Sequence, residues 1–306
     1  MTETWSTESL YDKATELYDS FEYEVCQKFC HKILETDPTH LDALKLLSGC
    51  LLECGEVEQS KQVLELCIKL EPEEGYEKFM TLAELLEGKS ALENYLQGIN
   101  CIQNEVQNGK MDRKYAGALA ISAYCTIAEL YMTDLCFEEN AESEIEQYLA
   151  AAREIDPSNN ELLITTANFR LSQSNDTATI ENLEATFSKW RELEIGDPSL
   201  PDYSLRYSCA KMFVEVGKYE EAIEILEGLS LENDSDCLIF YLMGWTFGLI
   251  GNVKDAKEYL ETSKELYVKQ DLDMPEVLEH IQQSLDTLQA NSQSLHDSHE
   301  SESMEH

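Results

Sequence analysis

The chain has 306 residues, 43% of them hydrophobic, with only 13 glycines and 6 prolines; that supports a sizeable core and favours helices over a turn-rich β fold. Its 61 Asp and Glu against 22 Lys and Arg leave a net charge of −39, which repels nucleic acid and anionic membranes and attracts basic partners. No apolar run reaches the length of a membrane span, and MTETWSTESL lacks both regions of a secretory signal, so the ten cysteines are expected to stay reduced.

In chain order, the apolar pattern recurs with a period of about 34 residues, the length of a tetratricopeptide helix pair. Leu10, Ala14, Leu17, Cys26 and Cys30 form the first copy, closed by Pro38. The second runs from Leu41 to Glu74: Leu44, Leu47, Ser48 and Leu51, a turn at Gly55, then Ser60, Leu64, Cys67 and Pro72. Cys26/Cys30 and Cys50/Cys54 have a helical spacing that could bind metal, but helical cysteine usually serves as a small buried hydrophobe. No metal or cofactor site is expected.

GYEKFMTLAELLEGKSALENY, from Gly75, is the third copy. Phe79, Leu82, Ala83 and Leu86 match a first helix, Ala91, Tyr95 and Gly98 a second, with about four residues missing from the turn. The GKS at the joint is no phosphate loop: Ala83 stands where glycine is required, and the joint lies between helices rather than after a strand. Tyr124, Ile127, Ala128 and Tyr131, then Leu149, Ala152 and Pro157, make the fourth copy, its connection MTDLCFEENAE about three residues too long.

The fifth copy holds Leu163, Ala167, Leu183, Phe187 and Trp190, with SQSNDTAT expected as a long loop. Cys209, Ala210, Phe213, Gly217, Tyr219, Ala222 and Leu226 form the sixth; Met243, Gly244, Phe247, Gly251, Ala256 and Leu260 form the seventh, one period on. A helix near 275–289, opening at Pro275, carries Val277, Ile281, Leu285 and Leu288 as an apolar stripe to cap the array. The expectation is an all-α, tetratricopeptide-repeat-like right-handed superhelix of about seven helix pairs plus a C-terminal capping helix. One domain would span 1–290, followed by an acidic, disordered tail at 291–306.

In such arrays the first helix of each pair faces a concave groove. The positions not used by the core give Tyr11, Asp19, Glu53, Met80, Glu84, Glu87, Glu129, Met132, Asp134, Tyr207, Glu215, Tyr241 and Trp245, alongside Glu8, Tyr18, Asp42 and Glu77. Carboxylates interleaved with rings and methionines suit an extended segment rich in Arg and Lys, pairing with its cations and covering its aliphatic stems. Taken one at a time, these residues also fit a solvated acidic face; Tyr241 and Trp245, large rings the core does not require, favour a binding strip. The opposite use of the fold, capture of an acidic chaperone C-terminus, requires Lys and Asn where Tyr11 and Thr15 stand. A groove of this sign would repel that ligand.

The segments GYEKFMTLAELLEGKSALENYLQGI and AYCTIAELYMTDLCFEENAE, supported by YLMGW (Tyr241 to Trp245), resemble the dedicated assembly chaperones of large-subunit ribosomal protein four, the uL-four class. The likeness runs in order from about Leu10 to Gln289. It implies an acidic repeat protein that captures the newly made ribosomal protein by its long, basic internal loop, keeps it soluble, and escorts it from cytoplasm to nucleus for ribosome biogenesis. Lys110, Arg113 and Lys114 are too sparse for an import signal, so nuclear entry would ride on the cargo. The alternative is a general scaffold for another basic partner, such as a histone or a different ribosomal protein. No Ser-His-Asp, HExxH or glycine-rich nucleotide motif is found, and only His31, His40 and His280 lie outside the tail, so catalysis is not expected. Direct contact with nucleic acid or membrane is not expected either.

Overall fold

The computed structural model describes residues 5–303, with side chains to residue 290. Among the described residues it contains fifteen helices and no strand. They divide between two compact units, Met1–Pro157 and Ser158–His306, both inside what the sequence draws as one repeat domain with a tail.

Unit one holds four helix pairs: α1 (Thr7–Asp19) with α2 (Tyr23–Thr36), α3 (Leu41–Glu53) with α4 (Val57–Leu70), α5 (Glu77–Glu84) with α6 (Gly88–Gln107), and α7 (Arg113–Met132) with α8 (Ala141–Ile155). Unit two holds three: α9 (Asn160–Ser172) with α10 (Asp176–Trp190), α11 (Tyr203–Glu215) with α12 (Tyr219–Glu232), and α13 (Cys237–Leu249) with α14 (Val253–Lys269). The closing α15 (Pro275–Ser303) packs on α14 and α13, with Ile281 fully buried. These are the seven expected pairs of the tetratricopeptide type.

Each pair closes where small residues let the backbones approach. A Cβ added at Gly244 would stand 2.9 Å from the Leu260 nitrogen and 3.0 Å from the Ala256 oxygen, so no larger residue fits there. In three pairs the second helix adds a bond across this contact: Cys26 Sγ donates to Ala14 O (3.1 Å), Ser60 Oγ to Ser48 O (2.9 Å) and Thr179 Oγ1 to Ala167 O (3.4 Å). Three of the interhelix turns share one form. One residue takes a left-handed conformation, at Gly55, Gly217 and Gly251, and the next amide donates back to the last turn of the helix, as from Glu56 to Leu51 O (2.8 Å).

The structure differs from the sequence expectations in five places. The residues missing from repeat three are lost from the end of α5, which stops at Glu84, and not from the turn: 85–87 is as long as the other three-residue turns, and Leu86, expected on the first helix, lies in it. SQSNDTAT is not a long loop: only 173–175 separate α9 and α10, Ser174 takes the glycine's left-handed place (φ 57°), and Asn175 caps α10 by accepting from Ala178 N (3.2 Å). The fourth connection, residues 133–140, exceeds the three-residue turns by more than expected. Helix α7 starts at Arg113, well before the matched pattern at Tyr124, because Asp112 caps it there through Lys114 N and Tyr115 N. Helix α15 continues past Gln289, into the stretch expected to be a disordered tail, since no proline or glycine stops it before Ser303; the tail's side chains and residues 304–306 lie outside the described residues.

Candidate functional site

The clipped third repeat lines a cleft in unit one. Met80 and Glu84 on α5 face Leu119, Ser122, Ala123 and Thr126 on α7 across a cleft of about 170 Å³, floored by Tyr95 of α6 and closed at one end by Tyr76. That is smaller than the roughly 300–1,000 Å³ of a small-molecule pocket, and it suits single side chains of a larger partner. Burial, with the charges of Glu84 and Glu129, pushes the Tyr95 phenol up to about 12. Glu84 and Glu129, chosen on sequence grounds from two different repeats, are therefore brought to one negative site, both exposed. Tyr95 and the small polar residues of α7 were not among the sequence candidates, because the core pattern counts Tyr95 as filling and passes over Ser and Thr.

The neighbouring candidates have mixed roles. Glu87 is exposed at the start of α6 and Met132 half-buried at the end of α7. Asp134 is structural: its Oδ2 accepts from the Gly88 amide at 3.0 Å. It thereby caps α6, whose own N-cap, Glu87, makes no side-chain bond. Lys89 and Glu138 pair across the same joint at 2.9 Å. The insertion in repeat four thus braces the joint that follows the shortened α5 of repeat three. Tyr11 is half-buried against the His40 ring, centroids 5.8 Å apart, and packs on the Leu10, Ile33 and Ala43 cluster. Asp19 and Glu53 end α1 and α3 and are exposed.

In unit two the sequence candidates form a different surface. The Lys211 ammonium lies 5.1 Å from the Tyr207 ring centroid, and burial with the charges of Asp236 and Tyr241 pushes the Tyr207 phenol up to about 12. Glu215 is exposed at the end of α11. Tyr241 and Trp245 stack with centroids 6.3 Å apart and planes 16° apart. They are half-buried: His280 of α15 stands edge-on to both rings at 5.6 Å, and its Nδ1 is 2.9 Å from the Tyr241 hydroxyl, while Trp245 also lines a cleft of about 300 Å³ with His280, Gln283 and Leu288 of α15. The sequence pattern finds the stripe of α15 that packs on the array, but not the histidine beside it.

Cys26, Cys30 and Cys50 are buried among the first two pairs, and burial raises the Cys30 and Cys50 thiols. Among the described residues no group of His, Cys, Asp and Glu is placed to hold a metal, and no helix is long and apolar enough to cross a membrane.

No protein-family model matches the chain. It is 30% identical over 276 residues to a Schizosaccharomyces pombe protein named probable assembly chaperone of rpl4, with 80% of each chain covered. A solved structure of residues 1–338 of an assembly chaperone of RpL4 (Acl4) is similar at a TM-score of 0.70 and 26% identity, over 81% of this chain and 98% of that one. A tetratricopeptide repeat protein from Parabacteroides merdae, 13% identical, shares the fold at a TM-score of 0.57, over 92% of this chain and 98% of that one.

Proposed function

This chain belongs to the family of assembly chaperones of rpl4, and from that premise we propose that it holds newly made ribosomal protein L4 by the cations of its long, basic internal loop. The observation that carries the reading is the convergence of Glu84 and Glu129 on the Tyr95 floor, with Met80 alongside. Carboxylates take the charge of an Arg or Lys, and the methionine and ring take its stem. The chain's net charge of −39 supports the same sign of partner. Binding, not catalysis, is its role. An unguarded basic loop would bind RNA indiscriminately; an acidic host competes with the phosphates until the assembly site displaces it. The complex forms in the cytoplasm and enters the nucleus on the cargo's own import signal.

Co-expression with ribosomal protein L4 followed by size-exclusion chromatography tests this: the two proteins are expected to co-elute stoichiometrically. Calorimetry at two salt concentrations should show affinity falling steeply as salt rises. A pull-down that returns many basic proteins, or a histone, in place of one dominant ribosomal protein would overturn the dedicated role. A salt-independent affinity would overturn the charge-based one.

A further inference from the structure

The first interhelix turn departs from the others in a way the cleft between α5 and α7 does not explain. The left-handed position that holds Gly55, Gly217 and Gly251 in other repeats is filled here by Phe21, with φ 62°. The residue is 78% exposed. Glycine would adopt this backbone freely and leave no apolar surface in water. Phe21 instead stands edge-on to Tyr23, centroids 6.2 Å apart and planes 88° apart, and Tyr23 is braced against Tyr18 at 5.3 Å. These rings open onto a groove of about 430 Å³ whose other walls are Glu22, Glu24, Val25, Glu53 and Cys54.

The charge in that groove is one-sided. Glu22, Glu24 and Glu53 make no ion pair with any Lys or Arg among the described residues. Glu53 lies near enough to the Tyr18 and Tyr23 phenols to raise both, after burial. An exposed ring face flanked by carboxylates that no cation neutralises is complementary to a planar cation. A guanidinium stacks on the ring and donates to the carboxylates, whereas an ammonium achieves only part of this.

We propose that the Phe21–Tyr23 groove is a docking site for an arginine of a basic, extended partner segment, separate from the cleft at Tyr95. It rests on the basic-cargo reading above and adds a second point of attachment at the first turn of unit one. Phe21 holds the guanidinium face; Glu22, Glu24 and Glu53 accept its hydrogen bonds.

The test uses the full chain, a synthetic peptide of the ribosomal protein's basic loop, and the same peptide with every arginine changed to lysine. Phe21→Gly is expected to weaken the arginine peptide about fivefold while leaving the melting temperature unchanged or higher. Glu53→Gln is expected to weaken it similarly, also without a change in melting. On the wild-type chain the lysine peptide should bind more weakly than the arginine peptide, and Phe21→Gly should narrow that gap. Wild-type affinity in Phe21→Gly, with affinity lost in a Glu84→Lys, Glu129→Lys variant, would overturn this site and leave the cargo reading intact. A Phe21→Gly loss that tracks a lower melting temperature would also overturn it, since the ring would then belong to the turn. No binding of either peptide to the wild-type chain would overturn both.

Discussion

Met80 and Glu84 in unit one stand at the same places in the repeat as Tyr241 and Trp245 in unit two, three residues before and one after the small residue that closes each pair, Ala83 and Gly244. Their fates differ. The first two line a cleft whose Tyr95 floor feels the charges of Glu84 and Glu129; the second two are stacked together and half-buried against His280, with Trp245 at the edge of a cleft beside α15. Repeat position fixes which residues avoid the core. What lies opposite them, another first helix or the closing α15, decides whether they are left for a partner or spent on folding.

The comparison breaks most readily at the acidic end. Changing Glu84, Glu87 and Glu129 together to Lys should weaken ribosomal protein L4 by at least about thirtyfold in calorimetry, with helical circular dichroism unchanged. Full co-elution of that variant would move the site elsewhere on the chain. In unit two the expected effect is on stability: Trp245→Ala should cost about 2 kcal/mol in chemical denaturation, less than a fully buried tryptophan would, with cargo affinity unchanged. Lost affinity at an unchanged denaturation midpoint would instead show that cargo displaces α15.

A similar loss is expected from the polar joint between the second and third pairs of unit one. Lys78, only 2% exposed, is held by Glu71 at 2.9 Å and by the Glu74 carbonyl. Burial opposes ionisation of Glu71, but the hydrogen bond from Lys78 and the charges of Lys45 and Lys78 outweigh it and hold the carboxyl below its usual range. Glu71→Gln should therefore destabilise by about 2 kcal/mol, less than the roughly 3–5 kcal/mol of a broken, fully buried pair because Glu71 is partly solvated. A carboxyl depressed in the folded state adds stability above its unfolded range, and that stability is lost as pH falls through the lowered value. The variant's stability should accordingly fall less steeply on the acid side, while cargo affinity at neutral pH stays unchanged. The smallest effect is expected at Ser174, where Ser174→Gly should raise stability by about 0.5 kcal/mol, relief of the left-handed backbone slightly exceeding glycine's greater freedom in the unfolded chain.

The repeat phase was readable because each core position demands size: Ala14, Ser48, Ala167 and Ala210 mark close helix contacts wherever they fall. The deletion in repeat three could be read in the same way, from Ala83 and Ala91 standing too close together, but not its place, which is the end of α5 rather than the turn. Less readable were features that depend on hydrogen bonding rather than volume. Ser174 in a glycine's place hides a regular turn inside a run of polar residues, and Asp112 starts α7 where no repeat position predicts a start. Asp134 looked like a groove acid because its charge suited a groove; that it caps a helix of the preceding repeat depends on a contact distant in sequence. His280 covers Tyr241 and Trp245 from beside the apolar stripe that identifies α15, a contact no periodicity reports.

The bond from Gly88 to Asp134, with Lys89 and Glu138 beside it, means that the deletion in one repeat and the insertion in the next are a single change of architecture. Restoring the missing residues of α5 alone would leave the loop at 133–140 with nothing to brace, and trimming that loop alone would strip α6 of its cap. Descendants of this chain should keep both lesions or lose both together.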